Sequence, residues 1–153
     1  MEKRKELIVS AIENGTVIDH IPADKVFEVI KILGLDDTEN PVYFGINLES
    51  KKYGRKGIIK IKNKHFTKDD TDKIALVAPY ATIIDIQNYD VINKVEAEIP
   101  DHINNIIKCM NPKCITNFEQ IPTQFDVVDK ENLKLKCHYC EKFTTKENIK
   151  FCE

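Results

Sequence analysis

The feature that most constrains this chain is where its cysteines fall. All five lie in the last third of the 153 residues, four of them as the pairs Cys109/Cys114 and Cys137/Cys140, and residues 1–108 contain none. Cys109-Met-Asn-Pro-Lys-Cys114 sets two thiols across a tight Asn-Pro turn, and Cys137-His-Tyr-Cys140 supplies a second pair after 22 intervening residues. Two short-spaced knuckles converging on one ion give tetrahedral thiolate coordination, the donor set that suits Zn2+ in a closed structural site. With all four positions taken by protein, none remains for a water nucleophile, so the expected role is folding and not hydrolysis. A redox reading of Cys137-x-x-Cys140 needs a strand-to-helix context and leaves the first pair unexplained. His138 is expected to be a bystander between two ligands, and Cys152 a free or packed thiol.

The same asymmetry predicts two units. Around Val95-Glu-Ala-Glu-Ile-Pro100 the chain turns acidic and meets a proline, which marks a linker. The expected division is residues 1–99 and residues 100–153. A block of about 50 residues rarely stabilises itself without a metal or a partner, and the cysteines supply that help. Charge is nearly balanced, 23 basic against 25 acidic residues, so any anion site must be local and no whole-molecule field draws nucleic acid or anionic lipid. Leu7-Ile8-Val9 is too short for a signal-peptide core, and no apolar run reaches the roughly 18 residues of a membrane span. A cytoplasmic location follows as an expectation, and there thiols stay reduced and favour metal over disulfide.

Residues 5–12 read as a strand, followed by the turn signal Asn14-Gly15 and a strand from Thr16 to Ile21. Ala23 to Leu33 reads as a helix with Val26, Phe27, Ile30 and Leu33 on one face and Gly34 at its end. Alternation over Val42–Leu48 and the segment Gly57–Lys62, joined by a Lys/Gly turn, predict a second hairpin. Thr67-Lys-Asp-Asp70 resembles a capping box with a shorter acid, opening a helix from Lys68 to about Val77 that Pro79 ends. Ala81–Gln87 and Tyr89–Val95 give a last strand pair. The order is that of a ferredoxin-like antiparallel sheet with two helices, an α+β fold followed by a small zinc-ribbon-like β domain.

On Lys56-Gly-Ile-Ile-Lys60-Ile-Lys62 the period of two puts three lysines on one face and Ile59 and Ile61 on the other. Such a triple could receive a polyphosphate, or simply be a solvated sheet face. Asp19-His20 adds a carboxylate and an imidazole, as a ligand site or as a local hydrogen bond. No glycine-rich phosphate loop is present, so nucleotide binding would have to be built from side chains and strand edges.

Gly15-Thr-Val-Ile-Asp-His-Ile-Pro22, Gly54-Arg-Lys56 with Ile59-Lys-Ile61, Ala78-Pro79 with Ala81-Thr82, Asn88-Tyr89, and Leu135-Lys-Cys-His-Tyr-Cys-Glu141 closely resemble the aspartate carbamoyltransferase regulatory chain, over nearly the whole length. The resemblance implies a subunit without catalysis of its own, which pairs as a homodimer, binds CTP as inhibitor and ATP as activator, and joins two catalytic trimers through three regulatory dimers. It implies a nucleotide pocket with Val9, Ala11 and Ile12 around the base, Asp19 and Lys60 at the ribose or base edge, and His20 and Lys94 at the phosphates. Lys56, Ile86, Tyr89 and Val91 would complete the wall. Two positions depart from the family: Ile84 stands where an asparagine contacts the base, and Ser10 replaces a larger acid. The zinc domain would dock on the catalytic chain, with Asn111, Lys113 and Glu119 as contacts.

Two other classes compete. A zinc-ribbon nucleic-acid binder would carry a basic stripe with interleaved aromatics, which residues 101–153 lack. An enzyme using Asp19-His20 as general base would need a nucleophile or second carboxylate in a recognisable motif, and none accompanies the pair.

Overall fold

In the computed structural model, which describes residues 11–51 and 54–152, the chain divides into Met1–Glu98 and Ile99–Glu153. The strand expected over residues 5–12 lies, up to Ser10, outside the described residues, and so does Val9. The first unit holds β1 (Gly15–Pro22), α1 (Val26–Ile32), β2 (Val42–Ser50), β3 (Gly54–Lys62), α2 (Lys68–Val77), β4 (Thr82–Gln87) and β5 (Asp90–Glu96). Its sheet runs β2-β3-β1-β4-β5, with every neighbouring pair antiparallel. That is the ferredoxin-like order with β5 added at one edge. Ile18, Ile21, Ile59, Ile61, Val26, Val29 and Ile74 form the fully buried core.

The first helix is shorter than the sequence pattern predicts. Ala23–Lys25 form a 3-10 turn and only Val26–Ile32 are α-helical. Its buried face also differs: Val26 and Val29 are inside, while Phe27 is 63% exposed and meets the Phe44 ring edge-on at 5.6 Å. The cause lies on β3, where Gly57 lets Val26 sit directly on the sheet. A Cβ on Gly57 would come within 1.9 Å of Val26 Cγ2. Anchoring Val26 there turns Phe27 outward. Gly34 closes the helix in the left-handed region as expected, at φ 66.

At the start of α2 the reciprocal cap is present. Thr67 Oγ1 accepts from the Asp70 backbone N–H at 3.3 Å, and Asp70 Oδ2 accepts from the Thr67 N–H at 3.2 Å. The shorter acid therefore reaches.

The second unit is all β. Strands β6 (His102–Asn104), β7 (Gln124–Asp129), β8 (Lys134–Cys137) and β9 (Phe143–Thr145) form one antiparallel sheet in chain order. The chain end returns to its beginning, with Ile107 bridged to Phe151 and the Cys152 N–H donating to Ile106 O at 2.8 Å. Ile103, Ile107, Phe125 and Leu135 are buried together with Cys109, Cys114 and Cys137. This is the small zinc-ribbon-like region that the cysteine spacing predicts.

Candidate functional site

In the second unit both knuckles meet. The four sulfurs of Cys109, Cys114, Cys137 and Cys140 all lie within 4.8 Å of one another. Cys109 Sγ and Cys140 Sγ are 3.6 Å apart, and Cys114 Sγ and Cys137 Sγ 3.8 Å. A regular tetrahedron of thiolates about 2.3 Å from a central ion has edges of about 3.8 Å. These two separations match such edges, and with all four sulfurs inside 4.8 Å the cluster could hold one metal ion. Its electrostatics ask for a cation: burial and the neighbouring thiols push Cys109 and Cys137 above the ordinary thiol range. At Cys140 burial also works upward, but hydrogen bonds from the Lys142 backbone N–H, the Asn111 side chain and the Cys109 and Cys137 thiols together bring the thiol down to about 7. Crowded sulfurs that burial keeps from ionising are what a bound dication stabilises as thiolates.

The first knuckle is shaped by its own backbone. The Cys114 N–H donates to Asn111 O at 3.0 Å, and the Lys113 N–H donates to Asn111 Oδ1 at 3.1 Å. Thr116 Oγ1 lies 3.2 Å from Cys114 Sγ. Asn117 Nδ2 donates to Cys109 O at 3.1 Å and to Asn111 O at 2.7 Å. Asn117 is missed by a reading of knuckle spacing, since it is no ligand and lies three residues beyond the last cysteine of its pair. The second knuckle closes on itself, with the Glu141 N–H donating to Cys137 O at 3.0 Å and Glu141 in the left-handed region. His138 stacks edge-on with Tyr139 and is not among the cluster residues.

In the first unit, the sheet face opposite the main core carries Lys60, Ile86 and Lys94 among the candidate residues. In-register pairing aligns Tyr43, Lys60, Val17, Ile84 and Lys94 in one row across all five strands. Ile12, Val17 and Ile86 are buried on this face, with Ile58 and Ile84 packed against them. Lys60 stands among them only 9% exposed, so the strand is not the solvated lysine face that period-two reading allows. Burial lowers the Lys60 ammonium below its ordinary value of 10.5, and the Asp19 carboxylate partly offsets this. Lys62 turns aside, its ammonium over the Tyr43 ring at 5.5 Å.

A bulge in β1 brings the polar groups together. The register against β3 shifts between Ile18 and Ile21, and both isoleucines are fully buried. The intervening Asp19 and His20 are both turned away from that core, His20 at φ 57. Asp19 Oδ1 accepts from Lys56 Nζ at 2.7 Å and from the His20 backbone N–H at 2.6 Å. His20 Nδ1 lies 2.9 Å from Thr82 Oγ1. Thr82, opposite Asp19 on β4, acquires this part only through long-range register, which local patterning does not reveal. Ala11 is exposed. Val91 pairs with Ile86, and Tyr89 follows Asn88 in a left-handed turn whose N–H groups reach Glu13 O and Asn14 Oδ1. Among the described residues no helix is long and apolar enough to cross a membrane.

Fold and site together define an α+β protein that carries a separate cysteine-knuckle metal-binding unit. Two family models match it: "Aspartate carbamoyltransferase regulatory chain, allosteric domain" over residues 7–98, and the metal binding domain of the same chain over residues 101–150. It is 49% identical over 148 residues to an aspartate carbamoyltransferase regulatory chain of Bacteroides thetaiotaomicron, covering 97% of both chains. Regulatory chains of Thermococcus sibiricus and Pyrococcus horikoshii are each 51% identical, over 95% and 94% of this chain and 95% and 96% of their own lengths. The chain belongs to the aspartate carbamoyltransferase regulatory chain family. It is a regulatory subunit without catalysis of its own, with an allosteric and a metal-binding domain and a catalytic chain as its partner.

Proposed function

We propose that this chain binds CTP as an inhibitor and ATP as an activator on the Val17–Lys60 sheet face, and that it links catalytic trimers of aspartate carbamoyltransferase in cytoplasmic pyrimidine biosynthesis. The observation that carries this reading is the bulge-made cluster of Asp19, His20, Lys56 and Lys60 beside an apolar patch of Ile12, Val17 and Ile86. An amphiphilic ligand with a flat base and a polyphosphate suits such a surface. Lys60 and Asp19 face the ribose or base edge, and Ala11 and Ile12, with Val9, surround the base. His20 and Lys94 take the phosphates, with Lys56, Ile86, Tyr89 and Val91 completing the wall.

Residues 1–99 act as the allosteric domain and residues 100–153 as the docking domain. Cys109, Cys114, Cys137 and Cys140 hold one structural Zn2+, whose all-thiolate donor set and sulfur spacing support it over harder cations. Asn111, Lys113 and Glu119 contact the catalytic chain, next to Ile115 and Phe118, which are exposed. Homodimers form along the edge strand β2, where the exposed Phe27 and Phe44 rings give an apolar surface. Nucleotide binding biases two quaternary states of the enzyme, a coupling of about 1–3 kcal/mol.

The test is to mix the zinc-loaded chain with the matching catalytic trimer and follow aspartate saturation with and without CTP and ATP. A larger complex with nucleotide-shifted kinetics is expected, and Lys60→Ala should abolish the CTP response while keeping zinc and assembly. An unchanged CTP response in that variant sinks the assignment of the site.

A further inference from the structure

We propose that Asn117 is a positioning residue for the metal, locking the first knuckle so that Cys109 and Cys114 stay gathered and the ion leaves slowly. The inference rests on the four-thiolate reading of the site. Asn117 grips the knuckle at three backbone carbonyls. Its Nδ2 donates both hydrogens, to Cys109 O at 3.1 Å and Asn111 O at 2.7 Å, and its backbone N–H donates to Cys114 O at 2.9 Å.

The chemistry of the side chain explains the choice. Two carbonyls two residues apart converge on one nitrogen, and a primary amide is a short group that offers two N–H bonds from one atom. An aspartate of the same shape would set acceptors against acceptors. The clamped residue matters too, because Asn111 touches both halves of the cluster: its backbone N–H reaches Cys109 and its side chain reaches Cys140. Holding Asn111 therefore fixes one ligand from each knuckle. Groups outside the ligand set that orient the ligands change metal affinity by roughly 10–100-fold.

The experiment uses the full zinc-loaded chain, its Asn117→Ala and Asn117→Asp variants, and Asn148→Ala as control. Asn148 lines the same cavity as Cys109 and Asn117, yet its Nδ2 donates to Thr145 Oγ1, at 3.3 Å, and among the described residues it is not one of the cysteine cluster. Zinc transfer to excess chromophoric chelator should be about tenfold faster in Asn117→Ala and faster again in Asn117→Asp, with Asn148→Ala matching the parent. The ligand-field absorption of Co2+ in the same four thiolates should shift in the two Asn117 variants alone. Parent-like release and parent-like Co2+ bands in Asn117→Ala overturn the proposal, as does equal acceleration in Asn148→Ala. A parent chain that takes up neither ion overturns the four-thiolate reading itself, a result distinct from the other two.

Discussion

The two units solve the problem of stability in opposite ways. In the first, a layer of isoleucines and valines between sheet and helices makes the core, and the polar cluster occupies the other face of the same sheet. The main core and the candidate site are separate sets of residues, the site being backed by its own small buried cluster of Ile12, Val17 and Ile86. In the second, Cys109, Cys114 and Cys137 stand inside the core beside Phe125 and Leu135, so core and site coincide. The first arrangement leaves a site free to be tuned without endangering the fold, whereas the second makes the ion part of the fold.

Metal removal should expose this difference most strongly. A structural thiolate zinc contributes on the order of 10 kcal/mol of apparent folding free energy, more than a unit of this size commands alone. Stripping the ion with a chelator is expected to unfold β7 and β8 while β1, β3 and β4 keep their protection in hydrogen exchange. Persistent protection of Leu135 and Cys137 in the metal-free chain would break the comparison, because the second unit would then own a sufficient core. Lowering the pH should act in the same direction, since the thiols must lose their protons to bind.

A smaller and complementary effect is expected from Gly15→Ala in β1. Gly15 holds φ 140, and a Cβ there would lie 2.0 Å from the Ile61 carbonyl oxygen. Strain and overlap should cost about 3 kcal/mol, read as a lower urea midpoint for the first unit with zinc content unchanged. Loss of zinc in this variant would show that the two units do not stand independently.

What could be read from the sequence follows the same division. Knuckle spacing, the Thr67–Asp70 cap and the Gly34 helix end are local features whose chemistry fixes their geometry, and each is visible in a few residues. The Asp19-His20 bulge is not local: it exists because Ile18 and Ile21 both claim the core against β3. Period-two reading puts Lys60 on the face away from Ile59 and Ile61. It says nothing of Ile12, Val17 and Ile86, which come from other segments to form the apolar cluster on that face. Asn117 escaped for a related reason, since carbonyl groups carry no sequence signature. Phe27 misled because the packing of Val26 depends on the missing side chain of Gly57.

The smallest expected effect tests the principle most directly. Lys60 sits in an apolar cluster with its pKa lowered by burial, which the nearby Asp19 carboxylate partly offsets. A folded-state value below the unfolded 10.5 means that the unfolded chain binds more protons in that window, so the parent gains stability as pH rises through it. At neutral pH the buried ammonium is therefore a burden. Lys60→Met should raise the stability of the first unit by about 1 kcal/mol or less at pH 7, and the gain should shrink toward pH 10.5, measured as the difference between variant and parent. The same variant should lose its CTP response. A side chain that weakens the fold yet is needed for effector binding is what a separated core and site permit. Destabilisation by Lys60→Met at pH 7 would instead place Lys60 among the residues that hold the sheet together, and the contrast between the two units would narrow to the metal alone.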